Sequence, residues 1–202
     1  MIGRINDALR RVPVWAVYLV GILPPFWMLY QGVTGNLGVD PTKAMEHQLG
    51  KLGLQALILG LAVTPLRGLI GLNLMKFRRA IGVLSFYYIT THLLVWLLLD
   101  VQIAAQIWAD IVKRPYITIG MAGFVLLVPL AATSNNYSVR KLGPAWRKLH
   151  KLTYPAVVLG GVHFVMLTKS WQVEPIAYFT VIVLLLSYRA FKSATRKRIV
   201  RV

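Results

Sequence analysis

The chain has 202 residues, 57% of them hydrophobic and only 14% charged, with a mean hydropathy of +0.62 and a net charge of +17. A water-soluble domain carries about a quarter charged residues, so this composition calls for a bilayer as solvent. With no cysteine at all, disulfides, thiolate-held iron–sulfur clusters and covalent C-x-x-C-H haem attachment are excluded.

Uncharged runs set the elements in chain order. Arg4, Arg10 and Arg11 precede an apolar run without a convincing cleavage site, read here as an uncleaved first helix over Val12–Val33, kinked at Pro24–Pro25. The second span is Met45–Pro65 and the third Ala80–Leu99. The fourth covers 116–134, the fifth Leu149–Leu167, and the sixth Trp171–Phe191. The sixth requires Arg189 and Lys192 to snorkel. Each matches the roughly 17–25 residues that cross a membrane. The expectation is an all-α integral membrane protein, a six-helix bundle forming one domain over residues 1–202. Gly53, Ala56 and Gly60 read as helix packing; Gly160–Gly161 suits either packing or a flat ligand.

Charge gives orientation. The N-terminus, the 2–3 and 4–5 loops and the C-terminus hold 18 of the 23 Lys and Arg, leaving Lys43, Lys51, Lys113, Arg114 and Lys169 opposite. Positive charge gathers on the cytoplasmic side, so both termini are expected there. Basic clusters between apolar runs contact membrane lipid rather than nucleic acid.

Four histidines carry the chemistry: His47, His92, His150 and His163. His92 lies 14 residues into the third span from Arg78 and His163 lies 13 residues beyond His150. Both are therefore about 20 Å up on helices running the same way, at 1.5 Å per residue. Two neutral imidazoles at one depth can clasp a haem iron from both sides. His150, at the basic end of the fifth span, could serve a second haem or act as an alternative ligand. Against this, Arg78 stands at the matching depth of the third helix, and His150 and His163 lie about 140° apart on an ideal helix. His47 suits a substitute ligand, a propionate contact or a hydrogen-bonded helix end. No Walker loop, HExxH motif or deep carboxylate relay is present.

Three stretches carry a resemblance: GKLGLQALILGLAVTPLR at Gly50–Arg67, RRAIGVLSFYYITTHL at Arg78–Leu93, and PLAATSNNYSVRKLGPAWRKLHKLTYP at Pro129–Pro155. The chain resembles the ferric reductase-like transmembrane domain of NADPH oxidases and metalloreductases. More closely, it is similar to the MsrQ (YedZ) family of haem-binding membrane subunits. The resemblance implies haem b with His92, His150 and His163 at the family's ligand positions, and FMN, for which no residue can be assigned. It implies a bacterial inner-membrane electron carrier fed by a cytoplasmic flavin reductase or by quinone. Electrons would pass to MsrP, the periplasmic molybdopterin subunit that repairs methionine sulfoxide, so this chain would not itself be the reducing subunit. A single His on the third helix, where the oxidases have two, leaves the haem count open between one and two. The alternative is a ferric or cupric metalloreductase; a non-redox anchor or transporter is a third reading.

Overall fold

The computed structural model describes residues 1–168 and 172–199, all helix and loop with no strand among them. Ten α-helices follow in order: α1 (Ile2–Arg11), α2 (Val14–Val33), α3 (Pro41–Leu69), α4 (Arg78–Val95), α5 (Ala104–Lys113), α6 (Pro115–Ala132), α7 (Asn136–Leu142), α8 (Pro144–Leu149), α9 (Thr153–Leu167) and α10 (Val173–Ile199). Five segments are long and apolar enough to cross a membrane: Val14–Val33, Pro41–Leu69, Met75–Val101, Pro115–Ala132 and Val173–Thr195. The expected fifth span is a shorter helix of 15 residues led in by a 3₁₀ turn at His150–Leu152. Pro155 explains the late start, since its ring crowds the carbonyl four residues earlier. Trp171, the expected first residue of the last span, lies outside the described residues.

The second span is longer than its uncharged core at both ends. Asp40 caps α3 by accepting a hydrogen bond from the Lys43 amide at 3.0 Å, and Pro41 suits the first helical position. At the other end α3 runs through Pro65 to Leu69. A proline inside a helix strips the carbonyl four residues back of its N–H partner, here Leu61. Arg189 of α10 supplies the missing donor: its Nε and Nη2 both donate to the Leu61 carbonyl, Nη2 also reaches Thr64, and Nη1 reaches the Tyr154 hydroxyl. Arg189 therefore turns inward onto α3 and does not snorkel, because an orphaned carbonyl in the bundle is a better partner than distant water. The same logic recurs in α2. Pro25 frees the Gly21 carbonyl, and the Tyr88 hydroxyl of α4 donates to it at 2.6 Å.

α4 packs along α3, α6 along α9, and α10 against α9 and α3. Leu54, Leu57 and Leu61 of α3, Leu127 and Leu130 of α6, Ala156 and Val157 of α9 and Ile182 of α10 form one buried core. Outward, α2 exposes Trp15, Leu19, Leu23, Phe26 and Trp27, a surface that water would not tolerate at this extent and lipid would. α1 is a basic amphipathic helix docked on the loop after α3: Asn6 donates to Gly71 O at 2.9 Å, and Lys76 donates to Arg10 O at 2.7 Å. α4 ends in a π-helical turn, Trp96–Val101, closed by Gln102 with φ 59°.

Candidate functional site

Between the two helix pairs α3/α4 and α6/α9 lies a cavity of about 250 Å³. Its inner end is apolar, with Leu54, Leu57, Leu127 and Ala156. Its outer mouth is polar, with Lys43, His47, Lys51, Asp100 and Arg114. Glycines at 50, 120, 123 and 160 line the walls, so helix backbones flank the space closely and leave it slot-like.

His92 of α4 and His163 of α9 enter this cavity from opposite sides. Their ring centroids are 6.3 Å apart and the ring planes cross at 74°. His92 Nδ1 lies 2.9 Å from the Glu46 carbonyl on α3, and His163 Nδ1 lies 2.7 Å from the Tyr116 carbonyl on α6. A carbonyl only accepts, so each Nδ1 carries the proton and donates. The tautomer is thereby fixed, and each Nε2 keeps its lone pair for another partner.

The 6.3 Å spacing has a simple chemical meaning. A metal–imidazole bond is about 2 Å long, and the ring centre lies about 1 Å behind the nitrogen, so two such units back to back span about 6 Å. Coordination through one nitrogen of each ring sets no angle between the two ring planes, so the 74° crossing that the carbonyl hydrogen bonds impose is compatible with it. Among the described residues no group of three or more His, Cys, Asp or Glu could hold a bare ion. Two imidazoles meeting in one cavity, each with Nε2 left unprotonated, suit a ligand that brings further donors of its own.

The other histidines lie apart. His150 stands in the 3₁₀ turn that leads into α9, its Nε2 3.1 Å from Thr133 Oγ1 and its ring stacked on Trp146 at 3.8 Å. Trp146 in turn donates to the Thr133 carbonyl at 2.9 Å. His47 is exposed at the cavity mouth. The paired glycines divide their work. Gly160 faces the cavity, whereas a Cβ at Gly161 would meet Ile182 at 2.8 Å and Phe179 at 2.9 Å of α10. Gly53 and Gly60 do pack against α4, at Ile89 and Ile81.

Sequence reasoning missed the two carbonyls and the glycines beside them. A Cβ at Gly50 would lie 3.2 Å from His92 Nδ1, and one at Gly120 2.8 Å from His163 Nδ1. The available signal was spacing: each glycine stands four residues after the carbonyl's residue, and each histidine follows that residue by 46 or 47 positions.

Residues 49–161 match the family described as ferric reductase like transmembrane component. The protein-methionine-sulfoxide reductase heme-binding subunit MsrQ of Brucella anthropi is 49% identical over 186 residues, covering 92% of this chain and 84% of that protein. The MsrQ of Agrobacterium fabrum is 47% identical over 188 residues, covering 92% and 87%. That of Brucella ovis is 48% identical over 186 residues, covering 92% and 84%. No solved structure matches. On this likeness the chain belongs to the ferric reductase-like transmembrane family and, within it, to the MsrQ group.

Proposed function

We propose that this protein is a haem b-containing electron carrier of the bacterial inner membrane, with His92 and His163 as the axial ligands. The observation that carries the reading is the pair of facing imidazoles, 6.3 Å apart, each with Nδ1 tied to a backbone carbonyl and Nε2 available. The cavity's polarity supports it. An apolar floor of leucines suits a porphyrin's hydrocarbon edge, and Lys43, Lys51 and Arg114 at the mouth offer cations to its propionates.

When bound, haem supplies reversible one-electron chemistry at iron. The chain's part is to orient both imidazoles, raise their basicity through the carbonyl hydrogen bonds and keep bulk water from the apolar end. The distribution of Lys and Arg, with 18 of 23 on one face, supports six crossings with α9 as the fifth and both termini in the cytoplasm. His92 and His163 then sit towards the periplasm. This favours delivery to MsrP docked on the outer loops, with a cytoplasmic flavin reductase or membrane quinone as donor. His150, beside Trp146 near the cytoplasmic end, is a second ligand position for another haem or an alternative ligand, and FMN is a further cofactor with no residue assigned to it. The ferric reductase family match keeps one other reading in view, reduction of external ferric or cupric ions.

Haem quantification and absorption spectra on wild type, His92→Ala, His150→Ala and His163→Ala test the binding claim. Loss of most haem is expected at His92 and His163. Wild-type content in all three variants would overturn it. Turnover of the reduced protein with MsrP against a ferric chelate separates the two acceptors.

A further inference from the structure

Gly50 and Gly120 stand in the same relation to the two facing histidines, in different helices and different helix pairs. In an α-helix the side chain of residue i+4 leans back over residue i. Any side chain at position 50 would cover the Glu46 carbonyl, and any at position 120 the Tyr116 carbonyl. Those are the two carbonyls that accept from His92 Nδ1 at 2.9 Å and His163 Nδ1 at 2.7 Å.

We propose that Gly50 and Gly120 are positioning residues: each leaves a notch beside a helix carbonyl so that an imidazole Nδ1–H from the neighbouring helix can bond there and hold its Nε2 aimed into the cavity. The two notches are unequal. A methyl at 120 would lie 2.8 Å from His163 Nδ1 and 3.0 Å from Cε1, closer than carbon and nitrogen can approach without one moving. A methyl at 50 would lie 3.2 Å from His92 Nδ1 and 3.3 Å from Cε1, tight but within reach of a small ring shift. His163, bonded to the Tyr116 carbonyl beside Gly120, therefore has less freedom than His92.

The hydrogen bond also sets electronics. A carbonyl acceptor on Nδ1 gives the ring more imidazolate character and makes Nε2 a stronger donor, which favours the ferric state. Breaking it weakens ligation and moves the reduction potential upward.

This inference rests on the haem reading above, so the test begins with haem-loaded wild type in detergent. A wild type that takes up no haem would sink that reading itself. With haem present, three variants are compared by haem affinity, by the low-spin spectrum and by spectroelectrochemical potential. Outer-sphere partners of metal-bound histidines are typically worth about 10- to 100-fold in affinity. A loss in that range is expected for Gly120→Ala, with a raised potential or a low-spin to high-spin change in the haem it retains. Gly50→Ala is expected to change in the same direction by less.

Gly161→Ala is the control. Its Cβ meets Ile182 at 2.8 Å and Phe179 at 2.9 Å, the same crowding aimed at α10 instead of a histidine. It should lower the melting temperature and leave potential and spin state at wild-type values. Should Gly120→Ala not fold, the milder Gly50→Ala carries the comparison alone. A wild-type spectrum, potential and affinity in whichever of these two variants folds, or equal spectral changes in Gly161→Ala, would overturn the proposal.

Discussion

Arg189→Met removes the guanidinium that serves α3 and keeps much of the aliphatic stem. It deletes two donors to the Leu61 carbonyl together with contacts to Thr64 and Tyr154. The Leu61 carbonyl has no helical replacement, because Pro65 lacks an N–H. A buried acceptor left unsatisfied costs about 1–3 kcal/mol, and relief of the desolvated charge offsets part of the lost contacts. A net loss of about 2 kcal/mol follows, equivalent to about 4–8 °C in melting temperature for a chain of this length. Thermal unfolding in a mild detergent, followed by far-ultraviolet circular dichroism, reads this directly. The sharper test is the cycle with Pro65→Ala, which restores an amide to the Leu61 carbonyl. In that background Arg189→Met should cost at least about 1 kcal/mol less, beyond the roughly 0.5 kcal/mol scatter of independent sites. Equal costs in both backgrounds would refute the claim that Arg189 serves the carbonyl the proline exposes.

Tyr88→Phe is the neutral counterpart. It should cost about 1 kcal/mol by the same unfolding assay, and less when Pro25→Ala returns an amide to Gly21 O. Gly53→Ala places a Cβ 2.5 Å from Ile89 Cγ1 and should destabilise the α3/α4 pair by about 1–3 kcal/mol, measured by the same melt. Asp40 should make the start of α3 sensitive to acid. The Lys43 amide holds its carboxyl below the ordinary value of 3.8, so the cap is fully present above that value and is lost as pH falls through the lowered one. The protection of the Lys43 amide against hydrogen exchange, relative to the intrinsic rate at each pH, should fall there and stay constant with pH in Asp40→Asn.

Much of the bundle was legible because hydrocarbon imposes a simple rule: charge is expelled and runs of about 20 residues remain. The depth of His92 and His163 followed from helical rise alone, and the structure brings their rings together. Legibility failed wherever a partner came from another helix. Arg189 looked like a residue reaching for the interface, because the carbonyl that Pro65 exposes on α3 can be matched to it only once α10 lies alongside. Gly50 and Gly120 drew no reading from the sequence, since their meaning depends on which carbonyl each histidine reaches. The divided roles of Gly160 and Gly161 depended likewise on helix rotation. Short surface helices such as α1 and α5 were hidden by their mixed composition: α1 carries Arg4, Arg10 and Arg11, and its stability comes from docking on the loop between α3 and α4.

Electron paramagnetic resonance of the ferric, haem-loaded protein addresses axial ligation by His92 and His163 most directly. Wild type should give a low-spin signal with two imidazole nitrogens coupled to iron. Either His92→Ala or His163→Ala should abolish it or convert it to high spin, while His150→Ala retains it. A low-spin two-imidazole signal that survives the loss of His92 or His163 would contradict the account.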